Sequence, residues 1–362
     1  ILPAFADLRD DAVFRTVTDL GMFFLMLFAG IEMQPHKIAE YSGGAVAVAV
    51  GGMVLPLALG AGLGWLFLPH SELQAPQALF LGTALAITAV PATVRILIDL
   101  GQLESPVGQT IVSAAVFDDI LSLVLLAWLT GMLGAAEPLG LLGFIWLGAK
   151  ILLFFAITAV IGLYVFPWGG RFMHYLKEEE LEISAMLIAA FAFAVLAELL
   201  ALHFIVGAFV AGLYFGQRTI DLKSYERVRD KVSGMTFGFL APIFFASVGL
   251  NLDLSAFSEI PGFLALLIGV AFLAKIAGAG TGAYAFGFSR RESVAVGIGM
   301  SPRGAVELVI ADIALTAGLF EVSGIRSTLL ANLYSAIVIM AIVTTVVSPI
   351  LLQWAFDRRP RR

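Results

Sequence analysis

Asp118 and Asp119 stand side by side in Ser113-Ala-Ala-Val-Phe-Asp-Asp-Ile-Leu-Ser122, inside a segment from about 107 to 132 that is otherwise largely apolar or small. One carboxylate in hydrocarbon costs roughly 2.5–3.5 kcal/mol on insertion scales. Two neighbours repel each other if both ionise. A membrane helix that tolerates both implies a cation, a proton or both to be bound there. The alternative, a solvated helix end, is disfavoured by the long apolar runs on either side.

Few other charges fall within apolar stretches: Lys150, Lys275, Arg303, Glu307 and Asp312, with Arg95 and Glu198 nearer the ends. Arg303 and Glu307 are four apart, on one helix face, and are expected to pair as structural glue or as a gate. Lys275 has no carboxylate within a turn, so Asp118 or Asp119 is its expected partner. Lys150 can snorkel toward the interface. Asp312 is expected near the far interface, in contact with water.

The elements that must position these groups carry two interruptions, Thr88-Ala-Val-Pro91 and Ser301-Pro-Arg-Gly304. Proline removes a backbone donor and clashes with the preceding turn, so the helices should break near Pro91 and Pro302. Freed backbone groups at membrane depth are tolerated only where they line a cavity or meet polar groups. Thr83, Thr88 and Thr93 offer hydroxyls at the first break and Ser301 at the second. Two such helices crossing near the midplane would set partial charges of both signs beside the Asp pair.

The whole chain fits a membrane setting. Of 362 residues, 60% are hydrophobic and 13% charged, against about 25% charged in soluble domains. Eleven apolar spans are expected, near 12–32, 42–67, 76–100, 107–132, 139–167, 181–200, 202–217, 233–250, 261–287, 292–318 and 325–355. The junction at Leu202-His-Phe204 leaves ten open. Lys37, Arg171, Lys177, Arg218, Lys223, Arg227, Arg229, Lys231, Arg290, Arg291 and the Arg358–Arg362 tail fall on one side. Loops 68–75, 133–138, 251–260 and 317–325 carry none, although Arg9, Arg15 and Arg326 fall on their side. The positive-inside rule then puts the C-terminus in the cytoplasm and favours eleven spans.

The chain also repeats. Phe23-Phe-Leu-Met-Leu-Phe-Ala-Gly-Ile-Glu-Met33 resembles Ala241-Pro-Ile-Phe-Phe-Ala-Ser-Val-Gly-Leu-Asn251, and Gly-rich Pro56–Gly62 resembles Lys275–Thr281. The interrupted Gly82–Pro91 mirrors Gly297–Gly304. With the second copy entering from the opposite side, this is an inverted repeat of the kind built into secondary transporters.

Other chemistries find little support. Cysteine is absent, the four His form no ligand spacing, and no nucleophile–base set or phosphate loop is evident. The expectation is no enzyme, no cofactor and no nucleic acid.

Asp118-Asp119 after Ala-Ala-Val-Phe, Lys275, the Pro-Arg-Gly turn at 302–304 and the Thr-rich break at 83–93 together resemble the monovalent cation–proton antiporter superfamily. The likeness is strongest to its bacterial double-aspartate sodium–proton antiporter branch and covers nearly the whole chain. It implies an all-α polytopic inverted-repeat antiporter fold with two discontinuous crossing helices. Thirteen spans are implied for the full protein, about two of them preceding residue 1. It implies a homodimer in the bacterial inner membrane, with an elevator-like core moving against a scaffold. Residues 1–41 and 133–250 would be scaffold and dimerisation helices, 42–132 and 251–355 the two core repeats, and 356–362 a cytoplasmic basic tail. Asp119 would be the main ion ligand, helped by Thr88, with Asp118 paired to Lys275. Alternating access would exchange Na+ (or Li+) for H+, electrogenically if two protons move per sodium. The rivals are a K+/H+ antiporter or gated potassium efflux protein without its regulatory domain, and a sodium-coupled organic-anion symporter of similar architecture.

Overall fold

A computed structural model describes residues 11–32, 43–133, 141–166, 168, 179–215, 222–322 and 327–357. Among them the chain is helical, with no strand. In order the helices are α1 (Ala12–Glu32), α2 (Gly43–Phe67), α3 (Gln74–Ala86), α4 (Val90–Asp99), α5 (Pro106–Leu133) and α6 (Leu141–Val160, extended by a π turn over Ile161–Val165). There follow α7 (Glu179–Leu199), α8 (Phe204–Tyr214), α9 (Leu222–Met235), a π turn over Thr236–Leu240 and α10 (Ala241–Asn251). The last are α11 (Pro261–Ala285), α12 (Arg290–Gly299), α13 (Ala305–Thr316) and α14 (Leu333–Asp357).

Seven of these stretches are long and apolar enough to cross a membrane: Ala12–Glu32, Gly44–Phe67, Ile145–Val165, Leu181–Leu199, Tyr225–Asn251, Pro261–Ala285 and Leu333–Phe356. That is fewer than the eleven expected. The expected spans at 76–100 and 292–318 are each split into two short helices. α8 has 11 residues, and α5 runs 28 residues from Pro106 to Leu133 with the Asp pair in its middle.

The chain divides into two compact units. One takes in the described residues of Ile1–Pro35 and Thr130–Asn251. In it α1 packs on α8 and α10, and α7 on α8. Its charged segment 223–231 reads as a loop in the sequence, yet α9 runs through it. Tyr225, Val228 and Val232 make a buried stripe at helical spacing. Tyr225 Oη donates to Ile31 O at 3.0 Å, and Arg229 pairs with Glu32. The helix then continues through the π turn into α10, so this span begins well before residue 233. Between α7 and α8 the chain turns at Ala201, which takes a left-handed φ of 60°.

The other unit holds His36–Leu129 and Leu252–Arg362, again for the described residues. Ser289 and Glu292 form a capping box that starts α12. Ser327 caps the single turn Thr328–Ala331, and Asn332 bonds both Thr328 O and Glu259, so α14 starts at Leu333 rather than near 325. Val48, Leu97, Ile111, Ala279, Val296 and Met300 share one buried cluster, which joins α2, α4, α5, α11 and α12.

α2 and α11 meet backbone to backbone. A methyl on Gly51 would press into Gly278 O, and one on Gly278 into Gly51 O. Glycine is the only residue that permits this approach. Gly→Ala inside a helix ordinarily gains about 1 kcal/mol. At Gly51 the overlap outweighs that gain, since overpacking costs about 1–3 kcal/mol. Gly51→Ala is therefore expected to lower the melting temperature, whereas Gly62→Ala, which faces open space, should leave it unchanged or raise it. Thermal unfolding of the two variants in detergent checks this.

Candidate functional site

The site lies within the second unit, where two helices stop and restart. α3 ends at Ala86 and the chain is extended at Ile87 (φ −70°, ψ 147°) and Ala89 (φ −93°, ψ 95°). α4 then opens with Pro91 in its first turn, where the missing N–H costs nothing. α12 ends at Gly299, and Ser301–Gly304 stay outside any helix before α13 opens at Ala305.

The two breaks are fastened to each other. Ala89 N donates to Pro302 O at 2.8 Å, Thr88 Oγ1 to Met300 O at 3.0 Å, and Thr93 Oγ1 to Gly299 O at 2.9 Å. The carbonyls that α12 leaves unpaired at its end are thus taken by neutral donors. Ser301, expected to offer its hydroxyl to the site, instead turns it back to Gly297 O at 2.8 Å. An extended or terminal helical residue with a free hydroxyl commonly bonds its own preceding turn.

The end of α3 is treated differently: two buried cations cap it. Arg303 donates from Nε to Ala84 O at 3.2 Å, from Nη2 to Leu85 O at 2.7 Å and from Nη1 to Ser301 O at 3.1 Å. Lys275 takes the next carbonyl, Ala86 O. A helix C-terminus carries roughly half a negative charge, so cations belong there. Thr345 of α14 clamps the Arg303 backbone, donating to its carbonyl at 2.5 Å and accepting from its amide at 3.0 Å.

Lys275, wholly buried, spends its remaining donors on Thr88 Oγ1 at 2.7 Å and Asp118 Oδ2 at 3.5 Å. An ammonium has three donors and no acceptor, so this set is complete. Asp118 is also wholly buried, and its Oδ1 has no hydrogen-bond partner among the described residues. The same holds for Ser122 Oγ, one turn further along α5, and for Thr83 Oγ1. Buried polar atoms are ordinarily satisfied. Unsatisfied oxygens on an acid and on a hydroxyl one helical turn from it are what a hard cation or a proton would complete.

The structure thus brings together Asp118, Thr88, Lys275, Arg303, Glu307 and Pro302. The side chains of Asp119 and Pro91 lie outside the described residues, although both residues sit in helices. Glu307 Oε2 is 3.4 Å from Arg303 Nε. Asp312, expected in water, is buried at 6% exposure. Lys150 is half-buried in α6, and exposed Arg95 pairs with Asp99 at 3.2 Å. Thr345 was missed in the sequence. Its only sign was the cluster of hydroxyls Thr344, Thr345 and Ser348 in an otherwise apolar helix. The acceptor carbonyls of Ala84, Leu85 and Ala86 carry no residue-type signal at all.

Residues 3–358 match the family model described as sodium/hydrogen exchanger, transmembrane. The Na+/H+-K+ antiporter GerN of Bacillus cereus is 32% identical over 354 residues, which cover 98% of this chain and 86% of that protein. A Na+/H+ antiporter of Enterococcus hirae is 31% identical over 345 residues, covering 93% and 83% respectively. Among solved structures, the sodium proton antiporter MjNhaP1 of Methanocaldococcus jannaschii superposes with a TM-score of 0.69 at 18% identity, over 95% of this chain and 84% of that one. That likeness is one of fold.

Proposed function

The chain belongs to the sodium/hydrogen exchanger family, and from that premise we propose that it exchanges Na+ (or Li+) for H+ across the membrane through the acids at 118 and 119. The observation that carries this reading is the fully buried Asp118–Lys275 pair at 3.5 Å, set against the capped end of a broken helix. A buried ion pair is an inefficient way to stabilise a fold. It is an efficient way to hold a site that must be neutral to move.

In this reading the ammonium of Lys275 occupies Asp118 while no cation is bound. A Na+ arriving at Asp118 and Asp119 takes carboxylate oxygens and the Thr88 hydroxyl, ligands of the hard type it prefers. Asp119 releases its proton as the Na+ binds, Lys275 gives up Asp118, and where a second proton moves it leaves from the Lys275 ammonium once that is freed from Asp118. Protons on the opposite face reverse the step. Because cation and proton compete for the same oxygens, one must leave before the other binds, and exchange replaces leak. If two protons move per Na+, each cycle carries one charge, and the membrane potential drives it by about 2.3 kcal/mol per 100 mV.

The wider architecture belongs to the same proposal. The seven long spans, α5, α8 and the two broken helices add up to eleven crossings, arranged as an inverted repeat. The unit holding the breaks is the moving core, and the unit of α1 and α6–α10 is the scaffold of a homodimer. The protein sits in the bacterial inner membrane with its C-terminus in the cytoplasm, as the positive-inside rule implies. GerN's name includes K+, which favours potassium as a second transported cation.

The test is proton flux in proteoliposomes driven in turn by Na+, Li+ and K+ under a clamped potential. Flux with Na+ or Li+ supports the reading; flux with K+ alone moves the chain to the potassium rival; silence with all three ends it. Lys275→Gln keeps a donor but loses the charge. Its expected result is a changed current per turnover and pH profile on a solid-supported membrane, and identical currents would remove Lys275 from the coupling.

A further inference from the structure

Glu307 is a buried acid that the exchange mechanism above does not use. It is 0% exposed, and neither carboxylate oxygen has a hydrogen-bond partner among the described residues. Its ion pair with Arg303 runs through a single nitrogen at 3.4 Å, side-on rather than as a two-bond fork. Each of the three Arg303 nitrogens already donates to a backbone carbonyl, at Ala84, Leu85 and Ser301. The guanidinium is thus committed to the broken helix whatever charge Glu307 carries. An ion pair serving only as glue would be expected to spend its donors on the carboxylate.

Two influences of opposite sign act on this carboxyl. Arg303 and the start of α13, where Glu307 is the third residue, favour the carboxylate. Complete burial without hydrogen bonds favours the neutral acid. Besides Arg303, the charged group acting on it is Lys275 from α11; Asp118 from α5 pairs with that lysine, and the buried Asp312 sits on the same helix as Glu307. α3 presents no titratable side chain, and α14 near Arg303 presents only hydroxyls, Thr344, Thr345 and Ser348.

We propose that Glu307 is a further proton carrier of the exchanger: it binds and releases one proton per cycle, separately from the acids at 118 and 119 and from Lys275. In the releasing step the carboxyl O–H bond breaks and the proton passes to water when the site is open to one face. The new carboxylate charge is met by Arg303, which need not let go of α3. The proton returns by the reverse step from the other face. This rests on the exchanger reading, and the test separates the two.

The experiment measures the H+ to Na+ ratio and the pH profile of exchange in proteoliposomes for wild type, Glu307→Gln and Glu307→Asp. Glu307→Gln keeps the shape and removes the proton. It is expected to lower the ratio by one proton and to erase one limb of the profile, while Glu307→Asp keeps the ratio and shifts that limb. A Glu307→Gln variant with wild-type ratio and profile, altered only in melting temperature, overturns the proposal and leaves Glu307 as counter-charge to Arg303. Should Glu307→Gln not fold, Glu307→Asp decides: a shifted limb supports the proposal, and an unmoved profile overturns it. A wild type that moves no protons against Na+, Li+ or K+ sinks the exchanger reading and this proposal with it.

Discussion

Asp119→Asn is expected to abolish Na+-dependent proton movement in proteoliposomes while the protein still folds and inserts. Asparagine keeps the size and one oxygen of aspartate but neither binds a proton in this range nor supplies charge to a cation. The neighbouring Asp118→Asn should also stop exchange, and at a visible cost in stability. It leaves the buried Lys275 ammonium with Ala86 O and Thr88 Oγ1 but no counter-charge. Removing one member of a buried pair costs roughly 3–5 kcal/mol. The two variants therefore differ in readout: flux is lost in both, and the melting temperature falls mainly in Asp118→Asn. Full flux from Asp119→Asn would remove residue 119 from the site.

The second large effect falls on the fold. Arg303→Ala strips the donors from Ala84 O, Leu85 O and Ser301 O in the interior. It also leaves Glu307 without its cation. A buried carbonyl left unsatisfied costs about 1–3 kcal/mol, so the three together outweigh any gain from removing a desolvated charge. A loss of about 3–5 kcal/mol follows once some relaxation is allowed, read as a sharp fall in melting temperature in detergent. Arg303→Lys should rescue only part of this, since a point charge cannot serve three acceptors spread across two chain segments. Wild-type melting combined with lost transport would instead make Arg303 a part of the transport machinery.

The sequence announces some of this and hides the rest, for physical reasons. α1 and α5 match their expected spans to within a residue or so, because an uninterrupted apolar run has few other options in a bilayer. Pro91 and Pro302 pointed to the breaks because proline disfavours a helix interior, but proline alone does not mark one: Pro56 and Pro349 lie inside the continuous α2 and α14. The start of α9 was not legible, since Lys223, Arg227, Arg229 and Lys231 look like a loop until Tyr225, Val228 and Val232 are seen to share a buried stripe. Polarity reported the solvent face and hid the helix. At the site, the titratable residues declared themselves by their cost in an apolar setting. What they bind to did not, because the acceptors capped by Arg303 and Lys275 are backbone carbonyls, identical in every residue. Ser301 and Asp312 were misplaced because residue type says nothing about which way a short polar side chain turns.

The seam between Gly51 and Gly278 has a further consequence. At the Gly51–Gly278 contact the helices touch through main chain, so no rotamer is frozen at that point when they come together. Such a joint has a fixed spacing set by atomic radii, with little give to heat or to changes in lipid. α2 and α11 are held at that spacing along this seam. In the exchange proposed above, this contact keeps its spacing, and the rearrangement around Asp118 falls to other surfaces of the unit.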